Sequence, residues 1–110
     1  MSEIINYEQF SRMDLRVGKV VSAEKVENTD KLLKLMIDLG EETPKQLVAG
    51  IAQQYAPEQL VGRDMVVLTN LEPRIIRGVE SQGMILAATV DGVPVILTTE
   101  KPVPAGSKIK

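Results

Sequence analysis

Residues 32 to 40 read LLKLMIDLG, and their alternation is strict. Leu33, Leu35, Ile37 and Leu39 fall on one side, and Lys34, Met36 and Asp38 on the other. A period of two with a single apolar set is the pattern of a strand with one face in a core and one in water. LRVGKVVSAEKV (15–26) alternates similarly: Leu15, Val17, Val20 and Val26 are apolar, with Arg16, Lys19 and Lys25 between them. This long strand is interrupted at Gly18, where a glycine predicts a bulge, a bend or the close approach of another backbone. ENTD (27–30) is a polar turn, and EETPK is a second one, leading by a hairpin into QLVAGIA (46–52).

PEQLVG (57–62) opens on proline and closes on glycine, which suits one or two turns of helix. DMVVLTNL (64–71) is the next strand, stopped by Glu72-Pro73. MILAATV (84–90) and VPVILTTE (93–100) pair around Asp91-Gly92, a dipeptide suited to a two-residue hairpin turn. Residues 3–12 carry Ile4, Ile5, Tyr7 and Phe10 at mixed helical spacing and predict a short helix or turn. The closing PVPAGSKIK is extended by Pro102 and Pro104, with Ile109 as an anchor.

Five or six short strands, one short helix and no βαβ repeat predict an all-β domain, a small antiparallel barrel or sandwich. A long bent first strand, a hairpin, a helical link and closing strands fit a five-stranded Greek-key barrel of the oligonucleotide/oligosaccharide-binding (OB) type, with added C-terminal strands. A generic sandwich shares the pattern. The 110 residues amount to one domain, 1–110.

Composition narrows the chemistry. There is no cysteine and no histidine, so disulfides, thiolate nucleophiles, imidazole bases and the commonest metal ligands are excluded. No cofactor is expected. Glu41-Glu42 is an acidic pair on a turn whose side chains point apart, and Ser81 has no imidazole partner, so a binding module is favoured over an enzyme. The net charge is −2, from 13 basic and 15 acidic residues, so attraction to an anionic partner requires local sorting of charge. The N-terminus has neither the basic start nor the apolar run of a signal peptide, and no segment approaches the roughly 20 apolar residues of a membrane-spanning helix. A cytoplasmic location without membrane contact is expected.

The segment RIIRGVESQGMILAA (74–88) concentrates the polar candidates: arginines around an isoleucine pair, then a Ser-Gln-Gly-Met turn, then an apolar run. Arg74 and Arg77 suit phosphate oxygens, or pair with Glu72 and Glu80 beside them. Asn70 reads a base edge or caps a turn. Lys31 and Lys34 contact phosphate or decorate a solvated strand. Met84 is core, or packs on a ribose or base at a rim. With only Tyr7, Phe10 and Tyr55 as aromatics, a row of base-stacking platforms is excluded.

DLRVGKV (14–20), DKLLKLMIDLG (30–40), AGIA (49–52), PEQLVGR (57–63), NLEPR (70–74) and GVESQGMILAA (78–88) together resemble the tRNA-binding domain family, in order and over nearly the whole chain. The opening INYEQFSRMDLRVGKV resembles the C-terminal domain of methionyl-tRNA synthetase. Free-standing dimeric tRNA-binding proteins and a bacterial chaperone-like relative share many of the motifs. Two positions depart from the family: Glu27-Asn28-Thr29 stands where His-Pro is frequent, and Ala49 where a serine is frequent. The resemblance implies an OB barrel that binds tRNA by shape, as a homodimer and in cis or trans with a synthetase catalytic domain. The ligand face it implies consists of Lys31, Lys34, Asn70, Arg74, Ser81, Gln82 and Met84. On that reading Gly83 allows a tight turn that presents Ser81 and Gln82, and acidic residues lie on the opposite face. A chaperone-like peptide-binding dimer is the alternative.

Overall fold

A computed structural model describes residues 2–110. The spine of the fold is β1 (Leu15–Lys25), whose two edges serve β2 (Leu33–Asp38) and β4 (Asp64–Leu68), with β10 (Lys108–Ile109) joining at its start. The sheet runs β3-β2-β1-β4-β7, all antiparallel, where β3 is Lys45–Ala49 and β7 is Met84–Ile85. Two further hairpins stand outside this path: β5 (Arg74–Ile76) with β6 (Val79–Ser81), and β8 (Ala87–Val90) with β9 (Val93–Ile96). Two short helices, α1 (Tyr7–Ser11) and α2 (Pro57–Leu60), complete the elements of the described residues. This is the curled, nearly closed barrel of the OB type, with additions at its C-terminal side.

The strand alternation explains the core. Leu33, Leu35 and Ile37 are fully buried while Lys34, Met36 and Asp38 are half-buried on the outer face. They meet Val20, Leu47, Met65 and Val67 from the neighbouring strands, and Leu60 caps them from α2. Gly18 is a point of close approach, of side chains rather than of the other backbone that its position predicted. A Cβ there would collide with Ile37 and Leu39, so its absence lets the β2 side chains cross under β1. The bulge of β1 lies further along, between Val20 and Ser22, where the register against β2 slips by one residue.

Both helices begin at local hydrogen bonds. Asn6 and Gln9 exchange side chain–backbone hydrogen bonds of 2.9 Å at the start of α1. In α2 the Gln59 side chain accepts the Ala56 N–H at 2.8 Å, with Pro57 in the first turn. The C-terminal tail docks as expected: Ile109 pairs with Leu15, and Gly106 lies so close to Leu39 and Gly40 that any side chain would strike backbone.

Two differences from the sequence expectation matter for the site. The stretch 84–90 is two strands, β7 and β8: β7 pairs with β4 and β8 pairs with β9, and Leu86 between them donates to Val66 O and accepts from Leu97 N–H. Residues 74–81 form a hairpin of their own, turning at Arg77-Gly78 with φ of 53° and 80°.

Candidate nucleic-acid interface

β3 is the edge of the barrel sheet and would expose unpaired backbone groups. The segment just after β6 covers it. Gln82 N–H donates to Gln46 O at 2.8 Å, and Gln46 N–H donates to Gln82 Oε1 at 3.0 Å. The Gln46 side-chain amide donates to Glu80 O at 2.8 Å. Val48 N–H donates to Ser81 Oγ at 2.9 Å, and the Ser81 hydroxyl donates onward to Gly83 O at 2.9 Å. The Ser-Gln-Gly turn therefore closes the barrel between β3 and β7 with side chains where a strand ladder is missing. Ser81 is 5% exposed, and its hydroxyl is engaged on both sides within the protein.

Gly83 has a different role from the expected one. It does not carry a positive φ. A Cβ at Gly83 would lie 2.9 Å from Leu68 O, so glycine is required for close passage of β7 over the end of β4.

Asn70 is likewise turned to the protein. Its Oδ1 accepts the Asp14 N–H at 2.9 Å and its Nδ2 donates to Arg12 O at 2.6 Å, tying the segment after α1 to the end of β4. Asp14 anchors the same corner. Arg16 holds both its carboxylate oxygens at 3.0 Å, and this pairing keeps the Asp14 carboxyl below the ordinary carboxylate range and raises the Arg16 guanidinium.

The remaining predicted residues face water. Arg74, at the start of β5, is exposed, and Met84 is 41% exposed. Both lie on the rim of an apolar pocket of about 260 Å³ whose walls include Ile51, Leu71, Ile76 and Ile85. Glu72 shares the rim, so it is electrically balanced. Ile76 reaches from this pocket to a second, polar concavity around Lys31, on the other side of the β5–β6 hairpin. Lys34 lines a third concavity together with Lys25 and Arg77, but its ammonium is paired with Glu24 across the strand. Carboxylates are interleaved with the cations here and are not confined to an opposite face.

The structure thus places Arg74, Ser81 and Met84 at one pocket, Lys31 and Lys34 beyond the hairpin, Gln82 in the closing turn, and Asn70 at the N-terminal corner. Arg77 is the cation that joins the two polar concavities, and it was named in the sequence without being placed in the site. The available signal was Arg-Gly between Ile75-Ile76 and Val79, a dipeptide position suited to a two-residue turn.

A barrel closed by side chains, with an apolar pocket at the closing turn and cations around it, defines a binding module of the OB class. Residues 15–108 match the family model described as "Putative tRNA binding domain", and the chain belongs to that family. It is 53% identical to the methionine–tRNA ligase of Methanothrix thermoacetophila over 107 residues, 97% of this chain and 16% of that protein. It is 47% identical to the methionine–tRNA ligase of Caldanaerobacter subterraneus subsp. tengcongensis over 97% of this chain and 17% of that one. The chain therefore spans about one-sixth of the length of these relatives. Among solved structures, the MetRS-related protein of Pyrococcus horikoshii superposes with a TM-score of 0.92 at 37% identity, covering 99% of this chain and 100% of that one. The chaperone CsaA of Bacillus anthracis gives 0.88 at 34%, covering 98% and 100%.

Proposed function

We propose that the chain is a non-catalytic module that binds tRNA mainly by shape, as a homodimer, in the cytoplasm. It serves either as the appendage of a methionyl-tRNA synthetase or as a free-standing equivalent. The observation that carries this reading is the meeting of Arg74 and Met84, separate in sequence, at one pocket beside the barrel's closing turn. An exposed cation next to a half-exposed apolar side chain suits a phosphate and the sugar or base attached to it. Family membership and the methionine–tRNA ligase relatives support the choice of tRNA. Within the proposed site, Lys31, Lys34, Arg74 and Met84 touch RNA. Asn70, Ser81 and Gln82 hold the surface in shape, which reduces the entropy lost on binding.

Two exposed apolar surfaces support the homodimer: Ile4, Ile5, Tyr7 and Met13 around α1, and Val90, Val93, Val95 and Leu97 along the β8–β9 hairpin. Bound in cis or in trans to a synthetase catalytic domain, such a module raises the effective concentration of tRNA at the enzyme without new chemistry.

A second reading, peptide binding of a chaperone-like kind, is favoured by the apolar walls of the pocket and by the likeness to CsaA. Filter binding of total tRNA across a salt series separates the two. Phosphate recognition gives a log–log slope of about −2 to −3 for the few free cations at the site, whereas an apolar pocket responds little to salt. Arg74→Ala is expected to weaken tRNA binding by about 1–3 kcal/mol with the fold unchanged. Wild-type affinity in that variant would remove Arg74 from the site.

A further inference from the structure

Among two-residue hairpin turns with both residues at positive φ, glycine, asparagine and aspartate are the favoured occupants, because a longer side chain is strained there. Two turns of this chain take that form. Asp91-Gly92 has φ of 50° and 79°, and Arg77-Gly78 has φ of 53° and 80°. The first carries a favoured pair. The second keeps an arginine in a left-handed conformation that costs about 1 kcal/mol, at an exposed tip where no packing calls for it.

The surroundings of Arg77 give that cost a use. It stands between two open polar concavities of about 450 and 420 Å³, one bounded by Lys25, Glu27 and Lys34, the other by Thr29, Asp30 and Lys31. Together their linings hold four cations (Lys25, Lys31, Lys34, Arg77) and three carboxylates (Glu24, Glu27, Asp30). The local balance is thus positive in a chain whose net charge is −2. The five ion pairs among the described residues use Arg12, Arg16, Lys19, Lys34 and Lys108, so Lys25, Lys31 and Arg77 keep their charge for a partner. Arg77 is exposed at the turn and forms no ion pair with Glu80 on the same hairpin.

We propose that the Arg77 turn, with Lys25 and Lys31 on either side, is a second phosphate-binding subsite, separated by the β5–β6 hairpin from the pocket of Arg74 and Met84. The ligand is a nucleic-acid backbone long enough to cross the hairpin, so that two phosphates on the same strand or on neighbouring strands are held at once. The planar five-donor fork of arginine suits a phosphate whose position is set by a rigid duplex rather than by a flexible chain. This inference rests on the reading of the module as a tRNA binder.

The test is Arg77→Asn, measured for stability by urea unfolding and for tRNA binding by a salt series beside the wild type and Arg77→Lys. Asparagine tolerates the left-handed turn, so the variant folds and is more stable than the wild type. Its tRNA affinity falls about tenfold at low salt and its log–log salt slope shrinks by about 1. Arg77→Lys keeps the slope while losing part of the affinity. Wild-type affinity and slope in the asparagine variant would overturn the subsite and leave tRNA binding by the module standing. A wild type that binds no tRNA would overturn the module's function, and the subsite with it.

Discussion

The two hairpins outside the main sheet turn in the same way, yet each is put to a different purpose. β5–β6 ends in Arg77-Gly78 and β8–β9 in Asp91-Gly92, all four residues left-handed. The first is sewn to the barrel edge by the side chains of Gln46, Ser81 and Gln82, and it carries its cations outward. The second is held mostly through backbone, where Leu97 N–H donates to Leu86 O and Leu86 N–H donates to Val66 O, with one side-chain contact from Ile96 N–H to the Tyr55 hydroxyl. Only Ile96 of that hairpin is buried, and the valines beyond it are exposed. Turn geometry sets where a hairpin points, and the side chains mounted on it decide whether it meets an anion or an apolar surface.

That contrast breaks first at the apolar hairpin. Val95→Asp is expected to leave the monomer folded and abolish the proposed dimer, since a carboxylate buried at a two-fold interface would be met by its own copy at a cost of about 3 kcal/mol or more. Light scattering across a concentration series reads the mass. A wild-type monomer at every concentration would take dimerisation away from the β8–β9 hairpin. At the polar hairpin, Ser81→Ala leaves the Val48 N–H without its acceptor in a buried seam, and is expected to lower unfolding stability by about 1–3 kcal/mol in urea. A change below a few tenths would mean that water reaches the seam and replaces the hydroxyl.

The smallest effect sharpens the comparison. Glu24 lies opposite Lys34 and holds its ammonium, so in the proposed complex RNA competes with a carboxylate for that lysine. Glu24→Gln is expected to tighten tRNA binding two- to fivefold, about 0.5–1 kcal/mol, the scale of an exposed pair, and to steepen the salt slope. Unchanged affinity would place Lys34 outside the RNA path.

The elements that sequence reading recovered are those with local causes. β2 follows from its strict alternation, α2 from Pro57 and Gly62, the β8–β9 turn from Asp91-Gly92, and the docked tail from Ile109. The β5–β6 hairpin escaped because its strands have three residues each, too short for a period to show, and because Ile75 is exposed rather than buried. Gly18 predicted a bulge, a bend or a close approach, and the bulge lies after Val20, since a glycine signals all three with the same letter.

The candidate site divides along the same line. Its residue types and the family they belong to were legible in six short motifs, and Arg74 and Met84 stand exposed at a pocket rim. The motif did not disclose that Ser81 and Gln82 bond to residues 33 and 36 positions away, or that Asn70 bonds to one 56 positions away.

The amino-acid order alone determined the strand faces, the turns and the absence of imidazole and thiol chemistry, because periodicity, turn propensity and side-chain inventory are properties of neighbours. Which polar groups close the barrel and which remain free for a partner was decided only when strands distant in the chain came together. A hydrogen bond between two such strands removes a donor or acceptor from the surface, and no window of adjacent residues records that loss.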